Sequence, residues 1–280
     1  MSGSSLAIDV SKVSGDGRVS KEDTVAVEEP LEIQLTCPSA GGAAAKSVSI
    51  TMRTPGDDAE LAAGFLFTEG IIQVGHQVAS VEHCGAPAPE SGLRNIIRVD
   101  LKPGIEVDLD RLKRHFYTTS SCGVCGKASL DALRVTGQKS LADNTVTFRR
   151  KVIVKLPDKL IAKQQVFTKT GGLHAAAVFD ADGQILFVKE DVGRHNAVDK
   201  IVGTLLMSDM LPANDLGLIV SGRASFELMQ KALVAGIPLL AAVSAPSSLA
   251  VRLAQEFDMT LIGFLREGNF NIYSGEQRVI

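Results

Sequence analysis

LGLIVSGRASFELMQKALVAGIPLLAAV, residues Leu216–Val243, holds the pattern that decides the fold. Leu216 to Val220 is an apolar run too short for a helix and of the right length for a strand covered on both faces. A Ser-Gly-Arg break leads into Ser225–Ala235, which reads as a helix, and past Gly236 a second apolar strand runs from Pro238 to Val243. The same rhythm continues on both sides. Upstream, Ala175–Phe179 and Gln184–Lys189 read as a hairpin around Asp182-Gly183, followed by a helix over Ala197–Met210. Downstream come a helix over Ser247–Phe257 and a strand over Thr260–Phe264. Strand, small-residue loop and helix in alternation predict an α/β layered sheet, largely parallel in its later strands.

Before about Pro157 the composition differs. Met1 to Asp23 is rich in serine, glycine and charge and reads as a flexible tail. Val25, Val27, Leu31, Ile33 and Leu35 then alternate with polar residues, as do Val48, Ile50 and Met52, so strands are expected there. Thr54-Pro55-Gly56 marks a turn, and Asp57 with Glu60 resembles a capping box for a helix through Leu66. Asn95–Leu101 reads as a strand and Asp108–Phe116 as a helix. The division expected is a tail over 1–23, a strand-rich α+β domain over 24–157 that contains a mobile loop at 118–128, and an α/β domain over 158–280.

Composition narrows the function. A net charge of -3 over 280 residues offers no basic footprint for nucleic acid or an anionic membrane. No apolar run is long enough to span a bilayer, and the first residues lack the blocks of a signal peptide. A cytoplasmic location is expected, with Cys37, Cys84, Cys122 and Cys125 reduced.

Four loops after strands stand out: Asp191–Asn196, Ser221–Ser225, Ser244–Ser248 and Leu265–Asn269. If their strands share one sheet and run parallel, the loops meet at one rim, where α/β proteins bind ligands. Three of them open helices, whose free N–H groups favour an anion, and Arg194, Arg223 and Arg266 add candidate phosphate contacts. Gly193, Gly222 and Gly268 allow close approach of a ligand to the backbone. Neither the P-loop nor the dinucleotide spacing occurs. Taken singly, each piece has a plainer explanation: Ser225 and Ser247 as helix caps, the glycines as turn residues, His195 as a hydrogen-bonded structural histidine, Thr170–His174 as the lead into a strand. The convergence of four loops is what points to a site for a phosphorylated ligand.

Cys122 and Cys125 form a C-x-x-C pair among glycine and hydroxyl residues, in Ser-Ser-Cys-Gly-Val-Cys-Gly-Lys. Three chemistries fit such a pair. Structural zinc needs two further ligands, with adjacent His83 and Cys84 and distant Cys37 as the candidates. A thioredoxin-like redox centre calls for a strand leading directly into the motif, whereas here a helical stretch and Tyr117–Ser121 precede it. A sulfur-carrying nucleophile suits the loop's glycines, and Lys127 favours the thiolate that attacks. The deaminase zinc signature is missing, since Ser121 precedes Cys122 and no histidine is followed two residues later by glutamate.

Four stretches together resemble the FdhD family of formate dehydrogenase accessory proteins: Ser121–Gly126, Thr170–Ala176, Glu190–Lys200 (EDVGRHNAVDK) and Ser221–Leu228. The resemblance implies a sulfurtransferase that receives sulfur from a cysteine desulfurase and passes it to bis-molybdopterin guanine dinucleotide before the cofactor enters formate dehydrogenase apoenzyme. It further implies a homodimer and a cytidine-deaminase-like topology for the cofactor-binding domain, 158–280. Carried over by position, Cys122 is the persulfide-bearing cysteine and Cys125 its partner, while Phe264, Leu265, Arg266, Glu267, Gly268 and Asn269 occupy the cofactor-binding segment. Ser221, Arg223 and His195 join them from the rim argument. The molybdenum cofactor is then a bound substrate, and no permanently bound metal is expected. The rival expectation is a zinc-stabilised cofactor chaperone without covalent sulfur transfer.

Overall fold

The computed structural model describes residues 3–15, 17–37, 45–105, 107, 130, 133 and 137–280. Among them, twelve strands form three sheets. The largest contains β7 (His174–Phe179), β8 (Ile185–Asp191), β9 (Gly217–Val220), β10 (Leu239–Ala242), β11 (Thr260–Arg266) and β12 (Asn269–Ser274), in the order β12-β11-β10-β9-β7-β8. Strands β9, β10 and β11 are parallel, and β7 runs antiparallel to both β8 and β9. It follows that β8 points the same way as β9, β10 and β11.

Every residue of β9 and β10 is buried, which is why their sequences are unbroken apolar runs. Alternate side chains leave opposite faces of the sheet. Ala176, Val178, Leu218, Val220, Leu240, Ala242 and Leu261 face one layer, made by the helices Arg194–Met207, Phe226–Val234 and Ser248–Glu256. Ala177, Phe179, Ile219, Leu239, Ala241 and Ile262 face the other, where Phe148, Ile153, Leu156 and Leu160 from the short helices Arg150–Ile153 and Leu156–Lys163 and the segment before them close the core. The expected helix–sheet–helix layering is present.

A second sheet combines β3 (Glu29–Thr36), β4 (Ala45–Arg53), β5 (Val78–Cys84) and β6 (Ile96–Leu101) in the order β4-β3-β6-β5. Leu31, Ile33, Leu35, Ile97 and Val99 from this sheet belong to the same buried cluster as the helices over the large sheet. One core therefore crosses the expected boundary at 157/158. The crossing helices are Asp58–Thr68 and Arg194–Met207, and two glycines set their separation. A Cβ on Gly64 would lie 1.9 Å from the Asp199 carbonyl oxygen, and one on Gly203 would lie 1.8 Å from that of Glu60.

Several expectations need correction. Residues 1–23 are not a tail throughout: β1 (Ser5–Ser14) and β2 (Gly17–Ala26) pair antiparallel along their whole length. The serine and charge content that suggested disorder comes from a two-stranded ribbon exposed on both faces. Asp57 is no capping box; its backbone is left-handed (φ 54), it makes no capping bond, and its carboxylate accepts from Lys189 Nζ at 2.7 Å. β5, β12 and the helices between 150 and 170 are further elements, outside those expected from the sequence. The helix expected over Asp108–Phe116 and the loop 118–128 lie outside the described residues.

Candidate functional site

Because β8, β9, β10 and β11 point the same way, the loops after them do meet at one rim. Backbone hydrogen bonds hold these loops side by side. Ser221 N donates to Ala175 O at 2.9 Å, Ser244 N to Gly222 O at 3.4 Å, Ser247 N to Ala224 O at 2.9 Å, and Phe264 N to Ser244 O at 3.2 Å. β7 begins at this rim, since His174 pairs with Asp191. Ligand-binding geometry for an open α/β sheet is thus in place.

Much of the Glu190–Lys200 stretch turns out to build the junction behind the rim. Asp191 is fully buried and accepts from four donors: Lys200 Nζ (2.7 Å), Gly193 N (2.8 Å), Asn196 Nδ2 (3.0 Å) and Thr54 N (3.2 Å). Lys200 Nζ also reaches Thr54 O at 3.0 Å, and Asn196 Nδ2 reaches Met52 O at 2.8 Å. The run therefore ties the start of a helix to the end of β4. A buried charge survives only with such pairing.

The outward-facing groups are fewer. His195 is half-exposed, with Nε2 at 3.4 Å from Ser225 Oγ and 3.7 Å from Glu227 Oε2. Hydrogen bonding from His195 pulls the Glu227 carboxyl down to about 2 against the opposing effect of burial. His174 stands beside Gly222, where a Cβ would come within 3.3 Å of its Nδ1. Burial first, then Arg194 and His195, push the His174 imidazole below its ordinary value, so it stays neutral near pH 7. Arg194 Nε is buried with no hydrogen-bond partner among the described residues. Arg223 is exposed.

Ser221 has a structural share: its Oγ accepts from Ala175 N at 2.9 Å, which extends the β7–β9 pairing into the rim. Of the two expected serine caps, only Ser247 caps, accepting from Ala250 N. Ser225 occupies the N-cap position yet makes no capping bond to the helix. His174 and Glu227 were not picked out from the sequence as site residues. The signals were a histidine opening a strand that starts at the rim and an acid in the first turn of a rim helix.

The Phe264–Asn269 segment does not open a helix. Arg266 pairs with Asn269 across a two-residue turn in which Glu267 (φ 52) and Gly268 (φ 75) are both left-handed, the geometry of a tight hairpin. Gly268 is thus required by the turn. Leu265 is buried in the core and unavailable to a ligand, whereas Phe264, Arg266, Glu267 and Asn269 are exposed. Phe264 itself has φ 52, rare for an aromatic residue, and the Arg266 guanidinium sits 5.9 Å from its ring centroid. Strain of this kind persists where surrounding structure enforces it and clusters at functional sites.

Cys122 and Cys125 lie outside the described residues. Among the described residues before and after that stretch, Lys102 N donates to Gln77 O and Leu141 N to Phe257 O. Phe257 is the C-cap of the helix Ser248–Glu256, whose N-terminus is at the rim. Of the residues weighed as zinc ligands, His83 Nε2 stands 3.3 Å from Asp58 Oδ2, and Cys37 and Cys84 are half-buried free thiols. Burial pushes the Cys37 thiol up despite Lys46 nearby.

A profile of the FdhD/NarQ family matches residues 26–280. The chain belongs to the FdhD/NarQ family. Its similarity to curated members runs along almost the entire length. It is 52% identical over 267 residues to sulfur carrier protein FdhD of Streptomyces avermitilis, covering 94% of this chain and 92% of that one. The sulfur carrier protein FdhD of Mycolicibacterium paratuberculosis is 53% identical over 264 residues, 93% of each chain. That of the archaeon Saccharolobus solfataricus is 42% identical over 271 residues, 97% of this chain and 96% of that one. The fold matches a crystal structure of a candidate formate dehydrogenase accessory protein from Desulfotalea psychrophila, with a TM-score of 0.71, 21% identity and 99% of both chains covered.

Proposed function

We propose that this chain is a sulfur carrier that sulfurates the molybdenum cofactor of formate dehydrogenase. The observation carrying this reading is full-length similarity at 52% identity to a sulfur carrier protein FdhD. The rim supports it, because a guanine dinucleotide presents phosphates, and the rim offers helix N-termini with Arg194, Arg223, Arg266 and His195.

The Cys122 thiolate attacks the outer sulfur of a desulfurase persulfide, forming Cys122–S–SH and releasing the desulfurase cysteine as a thiol. Attack of the Cys125 thiolate on the Cys122 sulfur then breaks the persulfide bond and closes a Cys122–Cys125 disulfide. The outer sulfur leaves as hydrosulfide, reduced by the two electrons the thiols give up, and goes to the bound cofactor. A cellular dithiol reductant restores the pair. The rim holds bis-molybdopterin guanine dinucleotide as substrate, with Phe264, Arg266, Glu267, Gly268 and Asn269 along one side and Ser221, Arg223 and His195 along the other. The partners are a cysteine desulfurase and formate dehydrogenase apoenzyme, and the working unit is a homodimer.

Incubation with a desulfurase and cysteine tests the scheme. Peptide mass should show one added sulfur atom on Cys122 in Cys125→Ser, where the discharge step is blocked, and none in Cys122→Ser. Absence of the adduct in a folded sample with an active desulfurase would overturn it.

A further inference from the structure

β1 and β2 form a ribbon whose two faces differ, and the apolar one is turned to solvent. Cross-strand partners share a face, and neighbours along a strand alternate between faces. The register therefore puts Leu6 beside Val25, Ile8 beside Asp23, Val10 beside Lys21 and Lys12 beside Val19 on one side. Ala7 and Thr24, Asp9 and Glu22, and Ser11 and Ser20 lie on the other, where Val13 is the large apolar exception. At the base of the ribbon it is the polar face that meets the protein. Ser5, Thr24 and Ala26 are half-buried there, and a Cβ on Gly172 would lie 3.8 Å from that of Ala26. On the opposite side at the same level, Leu6 is 58% and Val25 37% exposed; further out, Ile8 is 37% and Val19 65% exposed.

That polarity reverses the ordinary surface strand, which turns apolar side chains to the protein and polar ones to water. Single exposed apolar residues are normal, whereas a contiguous row of them marks an interaction surface. A two-stranded ribbon is also marginal by itself in water and needs a covered face. The placement of charge identifies the cover. Consider two copies packed by their apolar faces, with the two-fold axis across the strands between the Ile8/Asp23 and Val10/Lys21 rows. The order of rows is then reversed in the second copy. Ile8 meets Val10 of that copy, Val25 meets Val19, Asp23 meets Lys21, and Leu6 lies on the aliphatic stem of Lys12. An axis along the strands would instead set Ile8 against Asp23 and Val10 against Lys21, apolar side chains on charges. The first arrangement matches apolar to apolar and acid to base together, as a self-complementary two-fold contact requires. Lys21 and Asp23 are free to take part, being 3.7 Å apart within their own strand and about half exposed.

We propose that the apolar face of the β1–β2 ribbon is the docking surface for a second copy of this chain, with the two ribbons lying base to tip. This contact gives the homodimer of the proposed function its interface and rests on that reading. One ribbon face supplies at most about half the residues of a standard interface side, so the dimer is reversible and dissociates on dilution. Because the ribbon stands outside the buried core, substitutions on it change association without unfolding the chain.

Sedimentation equilibrium of the full chain over a dilution series measures the dimer constant, with a urea midpoint confirming that each variant is folded. Ile8→Lys should weaken dimerisation by about 30-fold or more, since it places a charge in an apolar contact. Ser20→Lys, on the polar face, should change the constant by less than about twofold. Asp23→Lys should weaken it about tenfold, and adding Lys21→Asp in the same chain should restore it to within about threefold of wild type, the pair being remade in reverse. A wild-type dimer that Ile8→Lys leaves unchanged overturns the proposal, while the homodimer stands on another surface. Equal weakening by Ser20→Lys and Ile8→Lys overturns it as well, and a double variant no tighter than Asp23→Lys overturns the base-to-tip arrangement. A wild-type chain that is monomeric at every attainable concentration overturns both the proposal and the homodimer.

Discussion

Asp191 and Lys200 show how a residue pattern that looks functional can be architectural. Both side chains are removed from water and 2.7 Å apart, and the carboxylate has three further donors. Lys200→Met should cost about 3–5 kcal/mol in urea unfolding, because it strands a buried carboxylate without its cation. Adding Asp191→Asn in the same chain should recover part of that loss, since the amide carries no charge to leave unpaired; a double variant no more stable than Lys200→Met would contradict this account. A second buried pair behaves alike. Burial works against the Lys231 ammonium, but Asp199 at 2.8 Å and Glu69 at 3.5 Å outweigh it and hold the group above its ordinary value. Charged letters in EDVGRHNAVDK marked this region as unusual from sequence alone. Which of them face the rim and which face the core was not legible, because burial depends on what packs over them from a distant part of the chain.

At the scale of elements, the crossing of the helices Asp58–Thr68 and Arg194–Met207 is set by Gly64 and Gly203, each against a backbone carbonyl of the other helix. Gly64→Ala or Gly203→Ala forces the helices apart and should destabilise by about 1–3 kcal/mol or more, read as a lowered urea midpoint with an unchanged slope. A neutral result at both positions would mean the crossing is looser than described. Helix-interior glycines ordinarily cost stability relative to alanine, so the expected sign is opposite to that from propensity. The central strands and their helices were readable because short apolar runs and capped amphipathic segments are local signals. β12 was not, since Asn269–Ser274 carries polar residues at an edge and is defined by its pairing with β11 across a tight turn.

At the scale of the whole molecule, the apolar core runs from the four-stranded sheet through the paired helices to the six-stranded sheet. Calorimetry should accordingly show one cooperative unfolding transition for residues 27–280, and two resolved transitions would contradict a shared core. The exposed ribbon of β1 and β2 contributes little to that core. A local code of apolar runs, turn glycines and the C-x-x-C pair was enough for the layered α/β half, the rim with its four loops, and the family. Tertiary structure alone decided that Leu265 points into the core, that Ser225 leaves its helix uncapped for His195 and Glu227, and that both halves share one interior. The reason is physical: strand and helix periods are written between near neighbours, whereas burial, pairing and charge state arise from contacts between residues more than a hundred positions apart, such as Thr54 with Asp191.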